Sequence, residues 1–420
     1  MSNLNVDRTR IAIIGGGLAG TALANALLRM THLEVHILEA YACFSERGAA
    51  IGLSSTAQSA LKHIIPSADK LLAKAGAVPM NTTRTMIGSG VGAGSLVLDL
   101  ARTNQGKVVH RGSLLHELVS GLPSSMLHTG KKLKDIRPSD NGVELTFEDG
   151  YTARFDAVIG ADGIFSRVRE YVTQDPAGVY AASPAGFWDC RNVVEVEKAR
   201  EMLGEDFFRV NRQYGWIGAG AFIMHDVLDH GHKIQCVISG LETKDARNRG
   251  TPLSRDYLNL VLKDWLDGPI AKGIIDLVLD QDNPQRFSQW EHKATPTYSN
   301  ERACIIGDAA HATTPWQGYG LGLALEDAVI LSALLAETSS RRDINATFQA
   351  YDAVRRSRCQ MLIDSSRGTG QILCGQDCYA GLEPGRLKGA LAPRWDFIHA
   401  LDIEAYKRNA LDVLKESQHR

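Results

Sequence analysis

The feature that most constrains this chain is a glycine run set between an apolar strand and a helix. Arg8 to Ile14 is a short β-branched segment, and Gly15-Gly16-Gly17-Leu18-Ala19-Gly20 follows it. Leu18 to Met30 is helix-like, and Leu33 to Leu38 reads as a second strand closing on Glu39. Together these predict a βαβ unit. In a Gly-x-Gly-x-x-Gly turn, Gly15 permits the tight bend, Gly17 lets the backbone approach a pyrophosphate, and Gly20 lets the helix pack closely on the strand. The phosphates would lie at the helix N-terminus. Glu39, nineteen residues after Gly20, would accept hydrogen bonds from both ribose hydroxyls of an adenosine, which suits NAD or FAD and disfavours a 2′-phosphate. Alone the hexapeptide says little, since glycine-rich turns also arise for steric reasons; its place between strand and helix gives it weight.

The uncharged stretch from Ile11 to Leu28 is 18 residues long, enough to score as a membrane span. Its four glycines argue instead for strand, turn and helix, so no membrane span is expected. The preceding Ser2 to Arg10 lacks the layout of a signal peptide, and a cytoplasmic location follows. With 46 Lys+Arg against 48 Asp+Glu, there is no basic surplus for phosphate contacts, which excludes nucleic acid as a default partner. The seven cysteines are odd in number and contain no Cys-x-x-Cys pair, so neither a disulfide framework nor a metal site is expected.

At 420 residues the chain has room for two to four domains. Ser54 to Ile64 reads as helix, and Gln105 to His110 as a strand entering the helix Gly112 to Ser120. Val143 to Phe147 and Tyr151 to Phe155 flank Glu148-Asp149-Gly150 as a hairpin, and Asp156 to Gly160 is a buried strand. From about 175 to 295 aromatic and β-branched segments predominate. Ala303 to Ile306 and Leu321 to Leu335 restore an α/β texture, and after 341 the chain reads as helical, with a charged face at Arg355, Arg356 and Arg358. The expected fold class is α/β: a Rossmann-like dinucleotide-binding domain from 1–175 and 296–340, an inserted sheet-based substrate domain at 176–295, and a helical C-terminal region at 341–420.

Two further motifs choose among dinucleotides. The segment from Asp156 to Arg169, with Gly160-Ala161-Asp162-Gly163 at its centre, resembles the Asp-Gly motif of the class A flavoprotein aromatic hydroxylases. Gly307-Asp308-Ala309-Ala310-His311 resembles their Gly-Asp motif. The likeness runs from Arg10 to about Ser366, in the family's order. It implies bound FAD, with NADH or NADPH as a transient co-substrate, O2, and a small aromatic substrate. The family chemistry is transfer of one oxygen from a flavin C4a-hydroperoxide to an activated phenol ring.

In the family, the residue matching Asp308 bonds the ribityl chain, whereas a helix N-cap would be its purely structural role. Pro315, Gly318, Gly320 and Leu321 lie in the loop Thr313 to Gly322, whose backbone N–H groups would meet the flavin pyrimidine edge. Arg111 matches the arginine that reaches FAD. Arg47 and Ala50 lie on a loop, Ser45 to Leu53, that also meets the cofactor, although Arg47 could equally be a surface charge. Glu326-Asp327 reads as a structural pair.

Closer likeness is to salicylate hydroxylases and fungal dearomatising polyketide hydroxylases. Register with that group puts an arginine facing the phenolate at Arg191 and a proton acceptor near His225. Their bland alternatives are a surface arginine paired to a carboxylate and a structural histidine. Trp316 stands where salicylate hydroxylases carry His, which argues against salicylate itself. Two rival functions remain: an epoxidising monooxygenase acting on a non-phenolic or indole substrate, and a flavin-binding NAD(P)H oxidase or regulatory protein. Monomer and homodimer are both open.

Overall fold

The computed structural model describes residues 8–45, 50–242 and 250–418, with 100–105 described by backbone alone. Thr9–Ile14 and Leu33–Leu38 pair in parallel, with Ile14 opposite Leu38, and the helix Leu18–Leu27 connects them. They belong to a six-stranded sheet ordered Ser299–Asn300, Ala303–Ile305, Ala157–Gly160, Thr9–Ile14, Leu33–Leu38, Leu127–His128. Only the pairing of Ser299–Asn300 with Ala303–Ile305 is antiparallel. The chain adds Leu33–Leu38 on one side of Thr9–Ile14 and later Ala157–Gly160 on the other, so a crevice opens at the strand ends beside Gly15. Ala157–Gly160 is buried throughout, the signature of a strand covered on both faces. A three-stranded sheet, Leu133–Ser139, Gly142–Phe147 and Thr152–Phe155, adds Val143, Leu145 and Phe147 to the same core. The hairpin expected around Glu148-Asp149-Gly150 is its second turn.

The second sheet has nine strands, ordered Gly250–Pro252, Gln285–Glu291, Ser183–Glu195, Lys233–Leu241, Ala221–Leu228, Gln213–Gly218, Val78–Ile87, Leu96–His110, Ala50–Leu53. It therefore extends beyond the 176–295 segment and takes three strands from residues 50–110. The join is a parallel pairing of Gln213–Gly218 with Val78–Ile87. Val78–Ile87 is half-buried along most of its length, because one face borders a cleft rather than a core. Its threonines and arginine consequently show little apolar alternation. The opposite face of the sheet packs Trp188, Trp216 and Trp265 with the helix Ala271–Leu279.

The uncharged stretch Ile11 to Leu28 is divided between strand, turn and helix, and no helix among the described residues is long and apolar enough to cross a membrane. Gly320–Ala336 is buried on nearly all sides, as expected of a helix apolar all round. The 30-residue helix Ile344–Leu373 and the helix Ile403–Gln418 pack against it.

The charged face expected on this C-terminal region is largely internal. Arg355 is wholly buried; its Nε donates to Asp327 Oδ1 at 2.8 Å and its Nη1 to Glu326 Oε2 at 2.6 Å. Arg358 is mostly covered and donates twice to Glu326, at 2.8 Å each. Arg356 alone faces outward, bonded to Asp352 one turn earlier. Burial pushes Glu326 up, but the two guanidiniums outweigh it and hold the carboxylate below its ordinary range. Asp327 also accepts from His311 Nε2 at 2.6 Å and from the Gly307 N–H at 2.9 Å. His311, Asp327 and Cys359 lie close enough to ligate an ion, but the Arg355 guanidinium already supplies the countercharge a cation would bring. Arg355→Met should leave two buried carboxylates without their main partner. Chemical denaturation should then show a loss of about 3–5 kcal/mol, far above the effect of Arg356→Met on the surface.

Candidate active site

A cleft of about 860 Å³ runs between the two sheets. The glycine turn forms one end of it. Gly15 has φ +106°, and a Cβ there would lie 2.3 Å from the Ala161 carbonyl oxygen, so only glycine fits. A Cβ on Gly20 would lie 2.1 Å from the Gly15 oxygen. Gly20 thus serves close helix packing as expected, and unlike Gly15 and Gly17 it does not line the cleft. Glu39 lines it too, with Oε2 accepting the Gly16 N–H at 2.7 Å and Oε1 the Tyr41 N–H at 2.8 Å. The carboxylate therefore orders the turn itself and keeps further lone pairs for ribose hydroxyls.

The helices that open on this cleft suit an anionic, hydrogen-bond-accepting cofactor. Leu18–Leu27 follows Gly17 and Gly320–Ala336 follows Tyr319, neither with a side-chain cap. By contrast, the helices that begin at Ser55, Arg167 and Arg255 have their first N–H groups met by the side chains of Ser54, Ser166 and Ser254. The two uncapped N-termini leave backbone N–H groups for a pyrophosphate and for a flavin edge. Pro315, Gly318, Gly320, Leu321, Ala50 and Arg111 all line the same space. Asp308 also lines it and is exposed, with Gly307 rather than Asp308 at the N-cap of the short helix that follows. Its carboxylate makes no hydrogen bond among the described residues, which disfavours the capping role and leaves it available to a cofactor hydroxyl. Asp162 borders the cleft while accepting from Ser166 Oγ and, at 2.8 Å, from the Arg167 N–H, so it also shapes the turn that follows the Asp-Gly motif. Arg47 lies outside the described residues.

The other half of the cleft is the open face of the nine-stranded sheet. Arg191 is there, half-exposed, with Nη2 donating to Asp189 Oδ1 at 2.6 Å. Trp316 packs its ring on Phe187 and Phe222, with centroids 4.9 and 5.9 Å away. Gly370 makes room for it, since a Cβ there would lie 2.4 Å from the indole nitrogen. Leu373, Leu391 and Trp395 reach the cleft from the C-terminal region.

His225 does not join them. In Ala221–Leu228 alternate side chains face opposite ways, and Phe222, Met224 and Asp226 take the cleft face. His225 is buried behind the sheet, stacked on Tyr214 with centroids 4.9 Å apart and planes 11° apart. Burial pulls its pKa down to about 3, too weak a base for a phenol proton. The residue that sequence reading passed over is its neighbour Asp226. The signal was the two-residue period of the strand, but family register alone did not say which phase faced inward.

Comparison with known proteins agrees with this geometry. The profile of the family described as FAD binding domain matches residues 8–366. The chain belongs to that family. It is an FAD-dependent monooxygenase of the aromatic-hydroxylase group, and FAD is its cofactor. It is 31% identical to 6-methylsalicylate 1-monooxygenase of Aspergillus terreus, over 98% of this chain and 93% of that one. Salicylate hydroxylase of Pseudomonas putida is 29% identical, over 96% and 95%. A solved salicylate hydroxylase in complex with substrate superposes with a TM-score of 0.83 at 25% identity, covering 96% of this chain and 98% of that one.

Two outcomes follow for this FAD-dependent enzyme. Asp308→Ala should weaken FAD binding roughly ten- to a hundredfold, as for loss of a charged hydrogen bond, and leave melting of the apoprotein unchanged; FAD titration and calorimetry would read both. His225→Phe, which keeps the stack on Tyr214, should leave the pH dependence of turnover where it stands in the wild type.

Proposed function

We propose that this enzyme uses NAD(P)H and O2 to hydroxylate a phenolic or other electron-rich aromatic substrate held against the cleft face of the nine-stranded sheet. The observation that carries the reading is the continuity of the cleft: its cofactor-binding turns and its aromatic, Arg191-bearing wall enclose one space. The names of the two relatives, each a hydroxylase of a salicylate, support the substrate class. Bound FAD would take up hydride from NAD(P)H and activate O2. The chain contributes the rest. The glycine turns, Glu39, Arg111 and Asp308 hold the cofactor, and Phe222, Trp316, Leu373 and Leu391 exclude water. The Arg191 guanidinium, anchored by Asp189, presents a fixed positive charge where ring negative charge develops. Seven unpaired cysteines fit reaction in the reducing cytosol.

A panel of cresols and resorcinols, with and without a carboxylate, tests this by product formed per NAD(P)H consumed. Hydroxylated product in step with NAD(P)H consumption supports the reading; hydrogen peroxide alone would make the protein an oxidase. Arg191→Ala should lower hydroxylation by roughly 10²–10³ with flavin content intact. Arg191→Lys should recover only part of it, because an ammonium lacks the forked geometry.

A further inference from the structure

The cleft face of the large sheet is ordered in cross-strand rows. One row runs Arg191, Val237, Met224, Gly215, Thr85. The next places Asp226 opposite Gln235, beside Gln213, which is itself opposite Thr83. Asp226 is only 3% exposed and lines the cleft. Gln213 Nε2 donates to its Oδ2 at 3.1 Å and Gln235 Nε2 to its Oδ1 at 3.3 Å. Gln235 is held in turn, its Oε1 accepting the Ala50 N–H at 2.9 Å from the strand that borders the cofactor half. A buried carboxylate bonded by two neutral amides and by no cation among the described residues is costly to keep for stability alone.

We propose that Asp226, oriented by Gln213 and Gln235, accepts the proton of the substrate's ring hydroxyl. The assignment rests on the hydroxylase reading above and names the substrate feature met here: a hydroxyl donor, not a carboxylate, since two carboxylates side by side would repel. In the step the substrate O–H bond breaks, its electron pair stays on the ring oxygen and the proton moves to an Asp226 oxygen. No electrons are gained or lost overall. The Cα of Arg191 stands two strands and one row away, on the order of 12 Å by strand spacing, so its long side chain and the Asp226 carboxylate approach one ring from different points of the cleft.

The surroundings favour a carboxylate that can take a proton. Burial pushes Asp226 up to about 6, against the hydrogen bonds of the two glutamines. Around it on the cleft face, Gln213, Gln235 and Thr83 are neutral. On the neighbouring strands Arg191 pairs with Asp189, Arg84 with Asp99 and Lys107 with Asp69. His225 and Cys236, opposite each other on their strands, occupy the other face.

The experiment follows kcat/KM against pH, with whichever phenol of the panel the wild-type holoenzyme hydroxylates. The wild type should lose activity on an acid limb near pH 6, where Asp226 becomes protonated. Asp226→Asn should retain FAD, lose roughly 10²-fold at neutral pH as for loss of a general base, and recover as pH approaches the phenol's own pKa. Wild-type rates in Asp226→Asn, or an equal loss at every pH, would overturn the assignment. Gln213→Leu serves if Asp226→Asn does not fold: removing a donor to the carboxylate raises its pKa, so the acid limb should move to higher pH, and an unmoved limb overturns the proposal. If the wild type hydroxylates no phenol, the functional reading itself fails, and that result is distinct from either variant outcome.

Discussion

The architecture turns on one buried guanidinium. Arg355, on the long C-terminal helix, bonds Glu326 and Asp327 in the middle of a helix that is otherwise apolar on all sides. Two adjacent carboxylates in a hydrophobic interior would be untenable alone, and their desolvation is offset only by charge-assisted bonds on every side. Arg358 and Tyr319 complete the set around Glu326, and His311 and Gly307 that around Asp327. Burial works against a charged His311, yet the Asp327 carboxylate holds it well above its ordinary pKa.

This network reaches the chemistry through backbone. Asp327 holds the Gly307 N–H and so sets the turn that presents Asp308 to the cleft. Glu326 holds the Tyr319 hydroxyl at 2.9 Å, on the loop that carries Gly318 and Gly320. A buried polar knot thereby fixes two turns that line the cleft. Such bonds are directional, where apolar packing tolerates small displacements, and cofactor contacts of about 3 Å need that direction.

The substrate end is built differently. The nine-stranded sheet supplies its floor, with apolar aromatic packing behind, while in front Arg191 and Asp226 face a space also lined by Trp316, Leu373, Leu391 and Trp395. The two-residue period of its strands sorts side chains between these environments: on adjacent positions, His225 joins an aromatic stack while Asp226 enters the cleft. The same sheet joins residues 50–110 to residues 183–291, so one rigid surface spans from the cofactor border at Ala50 to Arg191.

The sequence by itself determined the βαβ unit, the glycine turn with Glu39, the hairpin after Val143 and the turn at Asp308. Each depends on local periodicity or on residues whose backbone and charge requirements act over a few positions. It could not show that Val78–Ile87 pairs with Gln213–Gly218, because neither strand carries any mark of a partner some 130 positions away. Nor could it show that Arg355 is internal, because a charged residue in a helix signals burial only when its partners are known. Which of His225 and Asp226 faces the cleft was also undetermined, since one residue of register reverses every side chain in a strand. Only the tertiary structure settled these points, by fixing which strand is the neighbour and which face of the sheet turns to the cleft.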